Sequence, residues 1–258
     1  MAMILGRREF LKLAAAGVAS GTVAPSLSAR AAPESEFRAI AFDAFALLDP
    51  RPVFALCERL FPGKGTELGS AWRIRQFEYQ WLRVLSGQYA DFWQATEDSL
   101  MFSAELLNLD LTPDKRMRLM SSYLELKAWP DVPLALESLK RAGLRLAVLS
   151  NATPDILDAG IRNSELAGVF EHVLSTDKIR TYKPAPNAYQ LAMDAFGIRK
   201  EEILFVAFAG WDVAGAKSFG YTTFWANRQN LPGERLGVSA DGVGKDLNDL
   251  VGFVRAAR

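Results

Sequence analysis

The sequence predicts an α/β fold, a parallel sheet core with helices on both faces and an all-helical block inserted after the first strand. Three observations predict it. Five apolar runs of strand length, residues 37–42, 144–149, 169–174, 203–208 and 222–226, alternate with stretches whose apolar residues recur at helical spacing. These runs are apolar along their length, as strands are when crossover helices cover both faces of a sheet. Between the first run and the second lies a block of roughly seventy to eighty residues with helical patterning and no strand signal.

Taken in order, residues 37–43 read Phe-Arg-Ala-Ile-Ala-Phe-Asp and deliver one carboxylate, Asp43, to the C-terminal end of a strand. Open parallel sheets place reactive groups in the crevice beyond such ends. Residues 51–61 carry Val53, Leu56, Cys57, Leu60 and Phe61 at helical spacing and stop at Pro62-Gly63. Three helices follow, over residues 66–85, 89–107 and 112–124, the last opened by Thr112-Pro113. From residue 131 strand and helix alternate again. Helices over 132–142, 187–196 and 212–219 are closed by Gly143, Gly197 and Gly220, Thr153 is the expected N-cap of a helix over 154–163, and a last helix spans 247–254. The boundaries give a Rossmann-like core domain at residues 37–49 and 129–258 and a helical cap domain at residues 50–128.

A chain of 258 residues that is 50% hydrophobic buries one large core and a smaller second one. Its 30 basic and 30 acidic residues balance, and no Lys/Arg cluster is interleaved with aromatics, so no nucleic acid partner is expected. A single Cys, Cys57, makes no intrachain disulfide, and with a single His, His172, it builds no Cys/His metal cage. Both read as packing residues, and neither a metal nor a cofactor is implied.

The first 31 residues read as an address. Arg7-Arg8-Glu9-Phe10-Leu11-Lys12 is a twin-arginine signature, followed by an Ala/Gly-rich run and a small-x-small site at Ala29-Arg30-Ala31. Pro25 and the many Gly, Ser and Thr residues leave too little apolar length for a membrane span. Cleavage after Ala31 would remove four basic residues and one acidic from the balanced 30 and 30, leaving a net charge of −3. The expectation is a periplasmic or exported protein carried folded by the twin-arginine export machinery.

Three further strand ends carry polar residues toward the crevice that holds Asp43. Ser150-Asn151-Ala152-Thr153 follows the second apolar run, Tyr182-Lys183-Pro184 follows the third, and Trp211-Asp212 follows the fourth. An acid, a hydroxyl, a lysine and a second acid, each at a strand-to-helix junction in this order, resemble the haloacid dehalogenase superfamily. The stretches Ala71-Trp72-Arg73-Ile74-Arg75-Gln76-Phe77-Glu78-Tyr79-Gln80-Trp81-Leu82-Arg83 and Tyr89-Ala90-Asp91-Phe92-Trp93 resemble the cap of its type II, (S)-2-haloacid dehalogenase, branch. The resemblance covers nearly all of residues 37–257.

It implies hydrolysis of short (S)-2-haloalkanoic acids to (R)-2-hydroxy acids, without a metal, through an ester on Asp43. Arg73 would take the departing halide, with Phe77, Phe92 and Trp211 as the apolar walls of the halide pocket. Lys183 would be the counter-ion of the nucleophile. Asp212 would position Lys183 and help to activate the hydrolytic water. Ser150 and Asn151, with backbone N–H groups at the start of the next helix, and Phe45 and Tyr189 would contact the substrate. The resemblance also implies a homodimer made through the cap helices, for which Trp72, Tyr79 and Trp81 supply exposed-looking aromatics. Phosphatases of the same superfamily need a second Asp two residues after the nucleophile, where this chain has Phe45, and a pair of acids in the last motif, where it has only Asp212.

The chain departs from the family where Tyr-Gly-Thr is replaced by Phe45-Ala46-Leu47 and where Ser-Ser-Asn-Gly-Trp-Asp is replaced by Ala207-Phe208-Ala209-Gly210-Trp211-Asp212. Three polar groups around the nucleophile become apolar, at Leu47, Ala207 and Ala209. Removing hydrogen-bonding partners together leaves folding nearly unaffected, whereas one lost preorganised donor costs a rate factor on the order of 10² to 10³. Two readings follow: a dehalogenase with an altered nucleophile pocket, and a catalytically weakened dehalogenase-like protein that binds small carboxylates.

Overall fold

The computed structural model describes residues 37–257. The twin-arginine stretch and the site at Ala31 lie outside the described residues.

Six parallel strands form one sheet: β1 (Ala39–Phe42), β2 (Arg145–Ser150), β3 (His172–Ser175), β4 (Ile203–Ala207), β5 (Thr222–Ala226) and β6 (Gly242–Gly244). Their order is β3-β2-β1-β4-β5-β6, so the chain turns outward in opposite directions from β1. A reversal of that kind opens a crevice at the carboxyl ends of the central strands. Register places Phe42 level with Val148 of β2 and Val206 of β4, and Asp43 therefore emerges at the middle of that edge.

Alternation along β1 explains the helices on both faces. Ile40 and Phe42 join Leu146, Val148, Leu204 and Val206 in one core, covered by α6 (Val132–Arg141), α7 (Pro154–Asn163) and α10 (Leu247–Ala256). Ala39 and Ala41 face the other way, into a smaller core with Tyr189, Ala192 and Phe196 of α8 (Pro186–Phe196) and Val213 and Ala216 of α9 (Gly210–Phe219). Small residues on that face of β1 let α8 and α9 pack close.

Between β1 and β2 the chain forms α1 (Ala44–Leu47), α2 (Arg51–Leu60), α3 (Gly65–Leu85), α4 (Phe92–Leu106) and α5 (Pro113–Ser121), then a 3₁₀ turn at Ser122–Glu125. Asp91 caps α4 through Gln94 N and Thr112 caps α5 through Lys115 N. Helices α3 and α4 are joined on their buried sides: Trp72 Nε1 donates to Thr96 O at 2.8 Å, and Gln76 Nε2 donates to Thr96 Oγ1 at 2.6 Å. Trp72 is fully buried, edge-on to Tyr123 at 5.8 Å, so it holds the helical block together and offers no exposed surface. That corrects its reading as an exposed-looking aromatic.

Other differences have local causes. β3 begins at His172, not at residue 169, because Val169 and Phe170 pack on the core from a turn that follows Gly168 at φ +72°. Thr153 stands at the start of α7 with extended backbone, yet its side chain makes no capping hydrogen bond. β6 escapes a propensity argument, since glycine normally ends a strand. At Gly244 a Cβ would meet Asp249 Cβ at 2.3 Å, so close packing of α10 requires the glycine. Cys57 is buried as expected, and burial pushes its thiol up to about 12. His172 lies edge-on to Phe196 at 5.4 Å.

Candidate active site

The crevice beyond β1, β2 and β4 holds a chain of buried charges. Asp43 ends β1 and caps α1, its Oδ2 accepting from Phe45 N at 3.1 Å. Lys183 Nζ donates to Asp43 Oδ1 at 2.9 Å and to Asp212 Oδ2 at 2.6 Å, with side-chain exposures of 0% for the lysine and 1% for Asp212. Beneath the ammonium lies the ring of Phe205, 5.1 Å from Nζ. Tyr189 OH closes the chain on Asp212 Oδ1 at 2.7 Å.

Two carboxylates share one ammonium, so the second cation of the region matters. Arg73 reaches over from α3. Its guanidinium stands 5.9 Å from the ring of Phe77 and 5.7 Å from that of Phe208, and Nη1 donates to Gln229 Oε1 at 3.3 Å. Burial pulls the Arg73 guanidinium below its ordinary pKa, while the charges of Tyr123 and Asp43 act in the opposite direction. Asp43 is in contact with Lys183, and its charge also favours the protonated guanidinium of Arg73.

Aromatic rings surround these charges. Phe45 lies 6.5 Å from Phe92 and 6.4 Å from Phe208, and Phe77 lies 5.3 Å from Trp211 and 5.7 Å from Trp81. Arg73, touching both Phe77 and Phe208, joins the two groups.

Residues 37–220 match the haloacid dehalogenase-like hydrolase family. The chain belongs to it. This haloacid dehalogenase-like hydrolase is 44% identical to the haloacetate dehalogenase H-2 of Moraxella sp. (strain B), over 80% of its own length and 92% of the relative's. It is 42% identical to the (S)-2-haloacid dehalogenase of Pseudomonas sp. (strain YL), over 79% and 88% of the two chains. Among solved structures it is similar to the L-2-haloacid dehalogenase RSc1362, with a TM-score of 0.84, 43% identity and coverage of 85% of this chain and 99% of that one. It is also similar to the L-2-haloacid dehalogenase of Xanthobacter autotrophicus with chloropropionic acid covalently bound, at a TM-score of 0.77, 33% identity and coverage of 85% and 98%.

Within this hydrolase two residues expected at the substrate stand elsewhere. Tyr189 is fully buried behind Asp212, where its hydroxyl orients that carboxylate. Asn151 brackets the backbone of Lys183: Oδ1 accepts from Lys183 N at 2.8 Å and Nδ2 donates to Lys183 O at 3.3 Å. Its amide is committed to placing the lysine. Ser150 keeps its expected place at the end of β2, and its Oγ accepts from Ala152 N at 3.1 Å. Phe45 packs with Phe92, Phe77 packs with Trp211, and Arg73 lies next to Phe77, as described above.

Electrostatics follow from burial. Dehydration opposes the charge on Lys183, but its two carboxylate partners outweigh that and hold its pKa above the ordinary value. Burial pushes the Asp212 carboxyl up to about 6, against the pull of Lys183 and with the charge of Asp43 adding to the rise. Among the described residues no group of three or more His, Cys, Asp or Glu side chains is placed to hold a metal ion.

Sequence reasoning missed a clamp behind α1. Arg228 pairs with Asp131 through two contacts, at 2.8 and 2.9 Å, and its Nη2 also donates to Ala46 O at 2.9 Å. Trp129 Nε1 donates to Phe45 O at 3.1 Å, and the Arg228 guanidinium lies 4.6 Å above the Trp129 ring. Asp131 also accepts from Leu247 N, so the turn behind the nucleophile is tied to the start of α10. Nothing local in the sequence marks partners 97 residues apart. Phe208 is a further site residue outside the sequence expectation: it stands at the second serine position of the family's last motif, and only the packing of its ring 5.7 Å from the Arg73 guanidinium brings it in.

Proposed function

We propose that this protein hydrolyses short (S)-2-haloalkanoic acids to (R)-2-hydroxy acids through an ester on Asp43. The observation that carries this reading is the Lys183 ammonium fixed between Asp43 and Asp212 at the end of the central strand, with the Arg73 guanidinium of α3 held near the rings of Phe77 and Phe208. Residues 50–128 then act as a cap over the core of residues 37–49 and 129–258.

An Asp43 oxygen attacks the carbon bearing the halogen from the side opposite the halide, which inverts the centre and leaves an aspartyl ester. Arg73 receives the halide among the rings of Phe77 and Phe208, where exclusion of water strengthens its charge. Water attacks the ester carbonyl as it gives a proton to Asp212, the bond from that carbonyl to the substrate oxygen breaks, the 2-hydroxy acid leaves with that proton, and release of the second water proton restores both carboxylates. Each Asp43 oxygen has one donor, Lys183 Nζ or Phe45 N. Whichever oxygen carries the ester, the other keeps a donor as it becomes an oxyanion. Ser150 and the N–H groups that follow Pro154 in the first turn of α7 take the substrate carboxylate.

A phosphatase chemistry finds poor support in this site. The magnesium such enzymes need prefers several oxygen ligands, but here an ammonium already spans the two carboxylates and Phe45 presents a ring. The second reading, a binding protein for small carboxylates, draws on the positions that depart from the family. Leu47 and Ala207 are buried and apolar, and Phe208 contributes a ring next to Arg73. Halide release from (S)-2-chloropropionate by the purified, folded protein decides between them: turnover supports the enzyme, and none of any short 2-haloacid leaves the binding reading.

If Asp212 must be ionised to hold water, activity falls as pH drops through its pKa. The expected kcat profile has an acid limb near pH 6, flat above about pH 7. Tyr189→Phe removes a donor to the charged form, so that limb should move to higher pH. A profile in which the limb stays put in this variant would remove Asp212 from the role.

The exposed side chains of Ile74, Leu82 and Leu85 on α3 and Met101 and Leu106 on α4 support association of two copies through these helices. A monomeric mass by light scattering would overturn that. Export through the twin-arginine route predicts a mature N-terminus at Ala32 in the periplasmic fraction, and an intact cytoplasmic chain would argue against it.

A further inference from the structure

Gln80 lies on α3, three residues beyond Phe77 and seven beyond Arg73, and is 0% exposed. Its Nε2 is buried and, among the described residues, has no hydrogen-bond partner. The direction of that amide is set by a chain of donors and acceptors that admits one solution. Lys183 N–H can only donate, so the atom of Asn151 facing it at 2.8 Å is the carbonyl oxygen. Lys183 C=O can only accept, so the amide nitrogen of Asn151 lies toward it, at 3.3 Å. The same nitrogen donates to Gln80 at 3.1 Å, which must therefore present Oε1. Two N–H bonds of Gln80 are left over.

A buried donor without a partner is costly, so its natural partner is a group other than the described residues, and a bound ligand is one that this site would receive. Asn151 directly follows Ser150 at the end of β2, and Ser150 lies two residues beyond Val148, the register partner of Phe42. Ser150 Oγ accepts from Ala152 N, and among the described residues its own proton has no acceptor. The Lys183 ammonium already spans two carboxylates. Gln80 of α3, bonded to Asn151, and Ser150, the residue before Asn151, thus bring close together two donors without an acceptor among the described residues.

We propose that Gln80 is a specificity-determining residue whose Nε2 donates to the carboxylate of the substrate, forming with Ser150 a two-donor fork that selects small monocarboxylates. The inference rests on the substrate class proposed above, and binding measured apart from turnover separates the two. The probe is propionate, an unreactive acid, titrated calorimetrically into the wild-type protein, Gln80→Met and Gln80→Glu, each checked for its circular dichroism. Gln80→Met keeps the shape and removes the donor together with the oxygen that Asn151 uses. Gln80→Glu keeps an oxygen for Asn151 and replaces the donor by an anion that repels the ligand, so it reports even if the Met variant fails to fold.

One hydrogen bond to a charged group corresponds to a factor on the order of 10 to 100. Propionate affinity should fall by that factor in Gln80→Met and become undetectable in Gln80→Glu, and KM for (S)-2-chloropropionate should rise in parallel with kcat changed much less. A wild-type protein that binds no propionate, or variants that bind it as the wild type does, would overturn the assignment. Loss of propionate binding in the variants of a protein that releases no halide would leave Gln80 in place and remove the dehalogenase reading alone.

Discussion

Asp43→Asn is expected to lower halide release by on the order of 10⁴-fold or more while leaving the fold intact. Asn has the shape of Asp and keeps a carbonyl oxygen that accepts from Lys183 or from Phe45 N, so α1 still forms. What it lacks is the negative charge that attacks carbon. A halide electrode with (S)-2-chloropropionate measures the loss, and near-native circular dichroism shows that it is chemical. Residual turnover within tenfold of the wild type would exclude Asp43 as nucleophile. Repeated turnover of the wild type in ¹⁸O water should place label in the Asp43 carboxylate, because water attacks the ester at the aspartyl carbonyl and not at the substrate carbon.

Lys183→Met should damage both activity and stability. The wild-type ammonium is fully buried and answers two carboxylates; without it they face each other in a dry site. Removing one partner of a buried ion group costs about 3–5 kcal/mol. The pH dependence carries the sign. Asp212 is already pushed up to about 6 by burial, and losing its cation raises it further above its unfolded value. A group raised in the folded state stabilises at low pH and loses that contribution as pH rises through its folded pKa. Urea unfolding should therefore find the variant's deficit largest near pH 8 and smaller near pH 5. An equal deficit at both would mean that the lysine acts by packing alone.

The fold was legible because its signals are local. Apolar runs bounded by Gly143, Gly197 and Gly220 place strands and helices without knowledge of partners, and the sheet follows from their alternation. The short helix after Asp43 and the glycine strand β6 were not, since one depends on a cap hydrogen bond and the other on room left by α10. In the site, Asp43, Lys183 and Asp212 were legible as polar residues interrupting apolar runs at strand ends. Asn151 and Tyr189 were legible as site residues but not in their places. Their side chains turn toward Lys183 and Asp212, a choice made by contacts among three separate segments. Arg228 and Asp131 carry no signal at all, because a surface pair and a buried clamp look alike in sequence.

One consequence of the strand order concerns biosynthesis. The first strand to be made is the centre of the sheet, and its two neighbours arrive about a hundred and a hundred and sixty residues later. A nascent chain that has not reached residue 207 leaves one flank of this fully buried, apolar strand without a ladder partner, a template for association between chains. The nucleophile is thus among the earliest described residues to leave the ribosome and among the last to acquire its surroundings.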